Sequence, residues 1–162
     1  MKKSLVIMLS LIVTFFTGFA CVFAAQYSKF SAKFIKNFQD CDSYEEVISS
    51  EFEGRTFTTT RKILGWRNGI CRYQEIIKTQ DEQYKLNCTF NSIQLDELYD
   101  AMKSKSKEVT RQELELFAEQ KDPKTGQIKY VPAGTTTIKG DIAYLTWAKY
   151  QNNPYFCKPQ KL

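Results

Sequence analysis

Ile63-Leu64-Gly65-Trp66-Arg67-Asn68-Gly69-Ile70-Cys71-Arg72-Tyr73 is the stretch that decides the fold. Asn68-Gly69 is a strong hairpin signal, because both residues tolerate the positive φ that a type I′ turn requires. A two-residue loop at that point sets Arg67 against Ile70, Trp66 against Cys71 and Leu64 against Tyr73. Val, Ile, Thr, Tyr and Phe dominate on both sides of the turn. Further turn signals at Glu53-Gly54 and Gln80–Gln83 divide the region into strands over about 43–51, 56–66, 71–79 and 84–90.

Pairing Cys71 with Cys88 across the next hairpin places Tyr73 opposite Leu86 and Glu75 opposite Tyr84. One face then collects Leu64, Trp66, Tyr73, Ile77, Tyr84 and Leu86. The other collects Arg61, Arg72, Gln74, Lys78, Lys85 and Asn87. This is the period-two alternation of a sheet with one buried face. The first strand fits less well, since the same register puts Tyr44, Ile48 and Phe52 on the polar side with Phe57 and Ile63. Either a bulge intervenes or that face is partly covered there.

Helical spacing frames the sheet. Tyr27, Phe30, Phe34 and Phe38, widened by Ile35, predict an amphipathic helix over about 27–39. Asn91 or Ser92 caps a second helix running to about Lys103. Thr110-Arg-Gln-Glu113 matches a capping box and predicts a third helix ending near Gln120. Asp122–Gly126 is a turn. Ile128–Val131 is a short strand, Pro132–Gly140 a loop, and 141–151 a last helix stopped by Asn152-Asn153-Pro154. The expected fold is α+β: a four-stranded antiparallel β-meander packed on one face by N- and C-terminal helices and stapled by disulfides.

The N-terminus has the layout of a secretory signal peptide. Met1-Lys2-Lys3 is positive, Leu5–Phe16 is almost uninterruptedly apolar, and Gly18–Ala25 is richer in small residues. The preferred cut follows Ala24, so residues 1–24 are the signal and 25–162 a single α+β domain. Residues 4–25 are about long enough to span a bilayer, but no stop-transfer charge cluster follows them. Lipidation at Cys21 is disfavoured by the bulky Phe19 and the small Gly18. Losing Lys2 and Lys3 lowers the net charge from +5 to +3, too little and too evenly spread to argue for nucleic acid.

Cys41, Cys71, Cys88 and Cys157 remain after cleavage. An even number in an exported chain reads as two disulfides. Zinc binding would need a ligand pattern that is absent: there is no C-x-x-C pair and no histidine. The hairpin register favours Cys71–Cys88, which leaves Cys41–Cys157. The latter closes a loop contributing roughly 4–5 kcal/mol in the chain-entropy model.

The absence of histidine also removes Ser-His-Asp and Cys-His catalysis. No Walker loop, G-x-G-x-x-G or G-x-S-x-G occurs. Ser104-Lys105-Ser106-Lys107 reads as a solvated linker rather than a Ser-Lys dyad. Paired carboxylates are the one open catalytic option, with Asp96, Glu97 and Asp100 on one expected helix and Glu113, Glu115 and Glu119 on the next. No catalytic residue, metal ligand or cofactor is assigned. The candidate binding face is Arg61, Arg72, Lys78 and Lys85, with Trp147 as an exposed aromatic on the last helix; Trp66 faces the core.

Gly65-Trp66-x-x-Gly69-x-Cys71-x-Tyr73, preceded by an early cysteine and followed by Cys88 and a helix, resembles small uncharacterised secreted domains of bacteria. The similarity covers about residues 38–102 and implies a fold element, with no activity attached. The expected function is that of an exported bacterial binding or accessory protein, periplasmic or secreted. Its partner would be another envelope protein or an acidic surface polymer, without nucleic acid, and with membrane contact only through the signal before cleavage. The alternatives are a carboxylate-dependent hydrolase of an envelope polymer and a subunit of a surface or secretion assembly that pairs through a strand edge.

Overall fold

Asn68 (φ 53°) and Gly69 (φ 73°) form the expected tight turn, and the strands grow outward from it. The computed structural model describes residues 30–52, 55–79, 82–104, 106 and 108–162. The expected signal segment, Cys21 and Tyr27 lie outside them. The elements run α1 (Ala32–Asp40), β1 (Tyr44–Phe52), β2 (Arg55–Arg67), β3 (Ile70–Lys78), β4 (Gln83–Phe90), α2 (Ser92–Lys103), β5 (Thr110–Lys121), β6 (Ile128–Gly140), α3 (Ile142–Gln151) and β7 (Cys157–Lys161). This is an α+β architecture with a five-stranded antiparallel sheet, order β1-β2-β3-β4-β7, and a separate β5-β6 hairpin.

The meander expected in the sequence is present and gains β7 as a fifth strand. Its register carries two corrections. First, Ile63 rather than Leu64 pairs with Tyr73, because the β2–β3 register shifts between Ile63 and Gly65. Leu64 is the bulged residue, and Gly65 beside it takes φ 88°, a value that favours glycine. The bulge exchanges the faces of everything before it on β2. Ile63 and Arg61 turn inward, Lys62 turns outward, and Tyr44 joins the core side through its pairing with Ile63. The misfit of the first strand is thereby explained.

Second, β3 and β4 pair two residues away from the expected register. Cys71 lies opposite Phe90, and Cys88 opposite Tyr73. The pairing ends at Lys78 and Gln83, where Thr79 accepts and donates hydrogen bonds with Glu82. The Cys71–Cys88 and Cys41–Cys157 pairing is therefore replaced by Cys41–Cys71 and Cys88–Cys157. Cys88 does join a directly opposite strand residue, with Cα atoms 4.0 Å apart, but on β7. Cys41 caps α1 in a left-handed conformation (φ 53°) and ties the helix end to β3. Sequence separations of 30 and 69 give roughly 3.5 and 4.5 kcal/mol in the chain-entropy model. Two such bridges point to an oxidising, extracytoplasmic compartment. No helix among the described residues is long and apolar enough to cross a membrane.

The helices cover one face of the sheet. Ser31 caps α1 by accepting from the Phe34 amide, and the Asp42 amide returns to the Asn37 carbonyl in a Schellman-type end. This delivers Phe34 and Phe38, both fully buried, onto Ile63, Tyr73 and Phe90. The α2 helix occupies its expected span and is held by a capping box between Asn91 and Gln94. It adds Leu95, Leu98 and Met102 to the same core.

The expected helix over 110–120 is a strand, and the expected loop 132–140 is its partner. Glu113-Leu114-Glu115-Leu116 alternates with period two, and Tyr130, Val131 and Thr135–Ile138 supply β-forming residues opposite. Tertiary pairing overrides the local capping-box pattern. The β5–β6 register shifts between Leu116 and Phe117, near Gly134 with φ 134°.

The α3 helix lies between the two β units. Trp147 and Tyr150 enter the aromatic core, while Tyr144, Leu145 and Ala148 pack with Leu114 and Ile138. A helix buried on opposite sides has no polar stripe. That is why Trp147, expected to be exposed, is 3% exposed and ringed by Phe30, Phe38, Tyr73 and Phe90. Trp66, expected in the core, is 46% exposed at the turn, with its Nε1 donating to the Asp40 carbonyl at 2.9 Å.

Candidate functional site

The sheet face opposite the helices carries the positive charge. Its composition follows from the register, row by row. One row crosses Glu45, Lys62, Gln74, Asn87 and Lys158. The next crosses Val47, Thr60, Ile76, Lys85 and Gln160, and a third Ser49, Thr58, Lys78 and Gln83. Toward the Asn68-Gly69 turn, Gly65, Arg72 and Thr89 form a further row. The three helices pack on the other side, where Phe34, Leu95, Leu98 and Trp147 meet Ile63, Cys71, Tyr73 and Phe90, and the hairpin packs on α3.

Of the expected binding face, Arg72, Lys78 and Lys85 stand here together, while Arg61 and Trp147 are interior. Lys62 and Lys158 are the residues that sequence reasoning missed. Lys62 required the Leu64 bulge to be known, and Lys158 required β7. Among the described residues, Lys62 pairs with Glu45 at 2.9 Å, and Arg72, Lys78, Lys85 and Lys158 form no ion pair. Between the cations stand amides and hydroxyls, with Val47 and Ile76 as apolar members of the Lys85 row: the Gln74 amide donates to Asn87 Oδ1 at 3.1 Å, and Thr60 and Thr89 lie in the neighbouring rows.

Arg72 differs from the lysines. Its Nε is buried without a hydrogen-bond partner among the described residues. Its cross-strand neighbour on β2 is Gly65, which presents no side chain. On its other side Arg72 pairs with Thr89 of β4.

The opposite face holds a buried charged row. Arg61 lies between Glu46 and Glu75, at 3.4 Å from Glu46 Oε1 and 3.7 Å from Glu75 Oε1. The Ser31 hydroxyl donates to Glu46, and Tyr73 and Gln151 donate to Glu75 Oε2 at 3.1 and 2.6 Å. Phe30 lies 4.6 Å from the Arg61 guanidinium and Phe34 5.9 Å away. Burial, followed by the Glu75 charge, pushes the Tyr73 hydroxyl well above its ordinary range, so Tyr73 is a neutral donor. Both carboxylates are engaged by a cation and by hydroxyl or amide donors. The arrangement fastens α1 and α3 to the sheet, and breaking one member would leave a buried charge uncompensated.

The carboxylates expected as catalytic candidates are dispersed. Glu97 accepts from Lys149 at 2.8 Å and Tyr150 at 2.6 Å, joining α2 to α3. These two hydrogen bonds hold its carboxyl below the ordinary value. Asp96 and Asp100 are exposed on α2. Glu113, Glu115 and Glu119 lie on β5 rather than on a helix. Ser104 and Ser106 border an open depression of about 270 Å³ with Glu108, Thr110 and Ile142, and Lys105 and Lys107 lie outside the described residues. No group of histidine, cysteine, aspartate or glutamate among the described residues is arranged to hold a metal ion.

No family model, curated protein or solved structure matches the chain.

Proposed function

We infer that this is a binding protein of the periplasm or the medium, whose open sheet face holds an acidic surface polymer. The observation that carries this is the row-by-row concentration of Lys62, Arg72, Lys78, Lys85 and Lys158 on one uncovered face, set against Glu45. The cations recur over several rows of the sheet, whose strands lie about 5 Å apart, so a polymer with repeated negative charge can reach several of them. Exposed cations cost little while unpaired in water, and a polyanion reaching several at once adds their attractions.

The test is calorimetric titration with polygalacturonate and with poly-glutamate, using neutral dextran as the control. The wild-type protein is expected to bind at least one polyanion at low salt and to lose affinity as the Debye length falls from about 30 Å at 0.01 M to about 10 Å at 0.1 M salt. Lys78→Glu/Lys85→Glu should abolish binding without changing the melting temperature appreciably. No preference for either polyanion over dextran would overturn the proposal, as would wild-type affinity in the double variant.

A further inference from the structure

We propose that the free edge of β1 is a self-association site, where a second copy of this chain pairs antiparallel and joins the two sheets into one. The association does not depend on what the open face binds. β1 ends the sheet order β1-β2-β3-β4-β7, so one side of its backbone has no ladder. Among the described residues, no backbone hydrogen bond outside the ladders reaches Tyr44–Phe52. Proteins blunt such edges with lysine, proline, a bulge or short length. The opposite edge, β7, is five residues long and carries Lys158, Pro159 and Lys161. In the hairpin, β5 carries Arg111 and Lys121, and β6 carries Lys129, Pro132 and Lys139. β1 has no lysine, arginine, proline or glycine in its nine residues, and its register with β2 is unbroken from Tyr44 to Phe52.

The strand's own sequence selects the partner and the register. A foreign basic strand would gain little, because Glu45 already pairs with Lys62 at 2.9 Å and Glu46 with Arg61 at 3.4 Å within the chain. A copy of β1 fits with a two-fold axis through Val47. Opposed residues then share a face: Val47 meets Val47, Glu45 meets Ser49, Glu46 meets Ile48 and Tyr44 meets Ser50. No acid opposes an acid. An axis at Ile48 sets Glu45 against Glu51, one at Glu46 sets that residue against itself, and one at Ser49 sets Val47 against Glu51. Like charges directly opposite are destabilising, whereas paired β-branched side chains are favourable. Val47, 62% exposed in the single chain, is covered on the axis. Such a contact uses the same patch on both copies and closes at the dimer.

The experiment is sedimentation velocity over a concentration series, without any polymer, on wild type and Val47→Lys. Wild type is expected to show a reversible dimer. Val47→Lys sets two cations against each other at an exposed site, and circular dichroism certifies its fold. It should weaken dimerisation about tenfold or more. Copper-phenanthroline oxidation of Val47→Cys should give a disulfide-linked dimer on non-reducing gels, and Ser49→Cys, set against Glu45, should give far less. A wild-type chain that stays monomeric at millimolar concentration would overturn the proposal, as would wild-type dimerisation of Val47→Lys. Stronger cross-linking through Ser49→Cys than through Val47→Cys would overturn the Val47 axis. Each outcome is read without polymer, so it stands or falls separately from polyanion binding.

Discussion

The five-stranded sheet buries Ile63, Cys71, Tyr73, Cys88 and Phe90 beneath helices and is crossed by two disulfides. The β5–β6 hairpin has strands of 12 and 13 residues, yet buries Leu114 and Ile138 against one side of α3. Pairing alone does not stabilise a two-stranded ribbon in water. The sheet acquires its rigidity from an aromatic core, and the hairpin depends on a helix that belongs to that core. This difference places the two units on different rungs of local stability, and it favours the sheet as the surface on which a repeated charge pattern is held fixed.

The comparison can be broken from the sheet side first. Phe38→Ala removes a fully buried ring that meets Tyr73, Phe90 and Trp147. It should cost about 3–5 kcal/mol, seen as global loss of near- and far-UV signal in urea at much lower midpoint. Replacing Cys88 and Cys157 by alanine should cost about 2–4 kcal/mol, and non-reducing peptide mapping of the parent protein should return Cys41–Cys71 and Cys88–Cys157 peptides.

Hairpin changes should be smaller and confined. Gly140 leaves room for the Tyr144 ring, since a Cβ built on it would fall 2.2 Å from Tyr144 Cδ1. Gly140→Ala should therefore loosen the hairpin from α3 at a cost of about 1–3 kcal/mol. Hydrogen exchange should accelerate in β5 and β6 and stay unchanged in β3; uniform acceleration in both would contradict the separation. The smallest effect concerns Glu97, whose carboxyl is held low by Lys149 and Tyr150. A lowered folded-state value contributes stability that is full above the unfolded value and is lost as pH falls through the folded one. Glu97→Gln should cost below about 1 kcal/mol near neutrality, and the difference from wild type should vanish on acidification.

How much of this was legible in the sequence follows the same division. Asn68-Gly69 specified its turn and the α2 cap its helix, because each signal is local; the aromatic stripe announced α1, but the helix starts at Ala32 and leaves Phe30 ahead of its Ser31 cap. The Leu64 bulge was not legible, since one extra residue leaves composition unchanged while exchanging Arg61 for Lys62 on the outer face. The β5 strand was misread because Thr110–Glu113 satisfies a capping box until β6 is known to lie opposite. Trp147 was misread because a helix enclosed by two layers shows no amphipathic pattern, whereas Trp66 keeps its expected pairing with Cys71 but stands exposed next to the turn. Of the cations on the open sheet face, Arg72, Lys78 and Lys85 were readable from alternation. Lys158 was not, because Cys157–Lys161 reads as a tail until its disulfide sets it beside β4.

The most direct measurement is a ¹⁵N-resolved NMR titration of the protein with polygalacturonate oligomers. The account predicts that shift changes gather on the sheet rows of Arg72, Gln74, Lys78, Lys85, Asn87 and Lys158, while the amides of β5 and β6 stay unmoved. Perturbations centred on the hairpin, with the sheet amides unmoved, would contradict it.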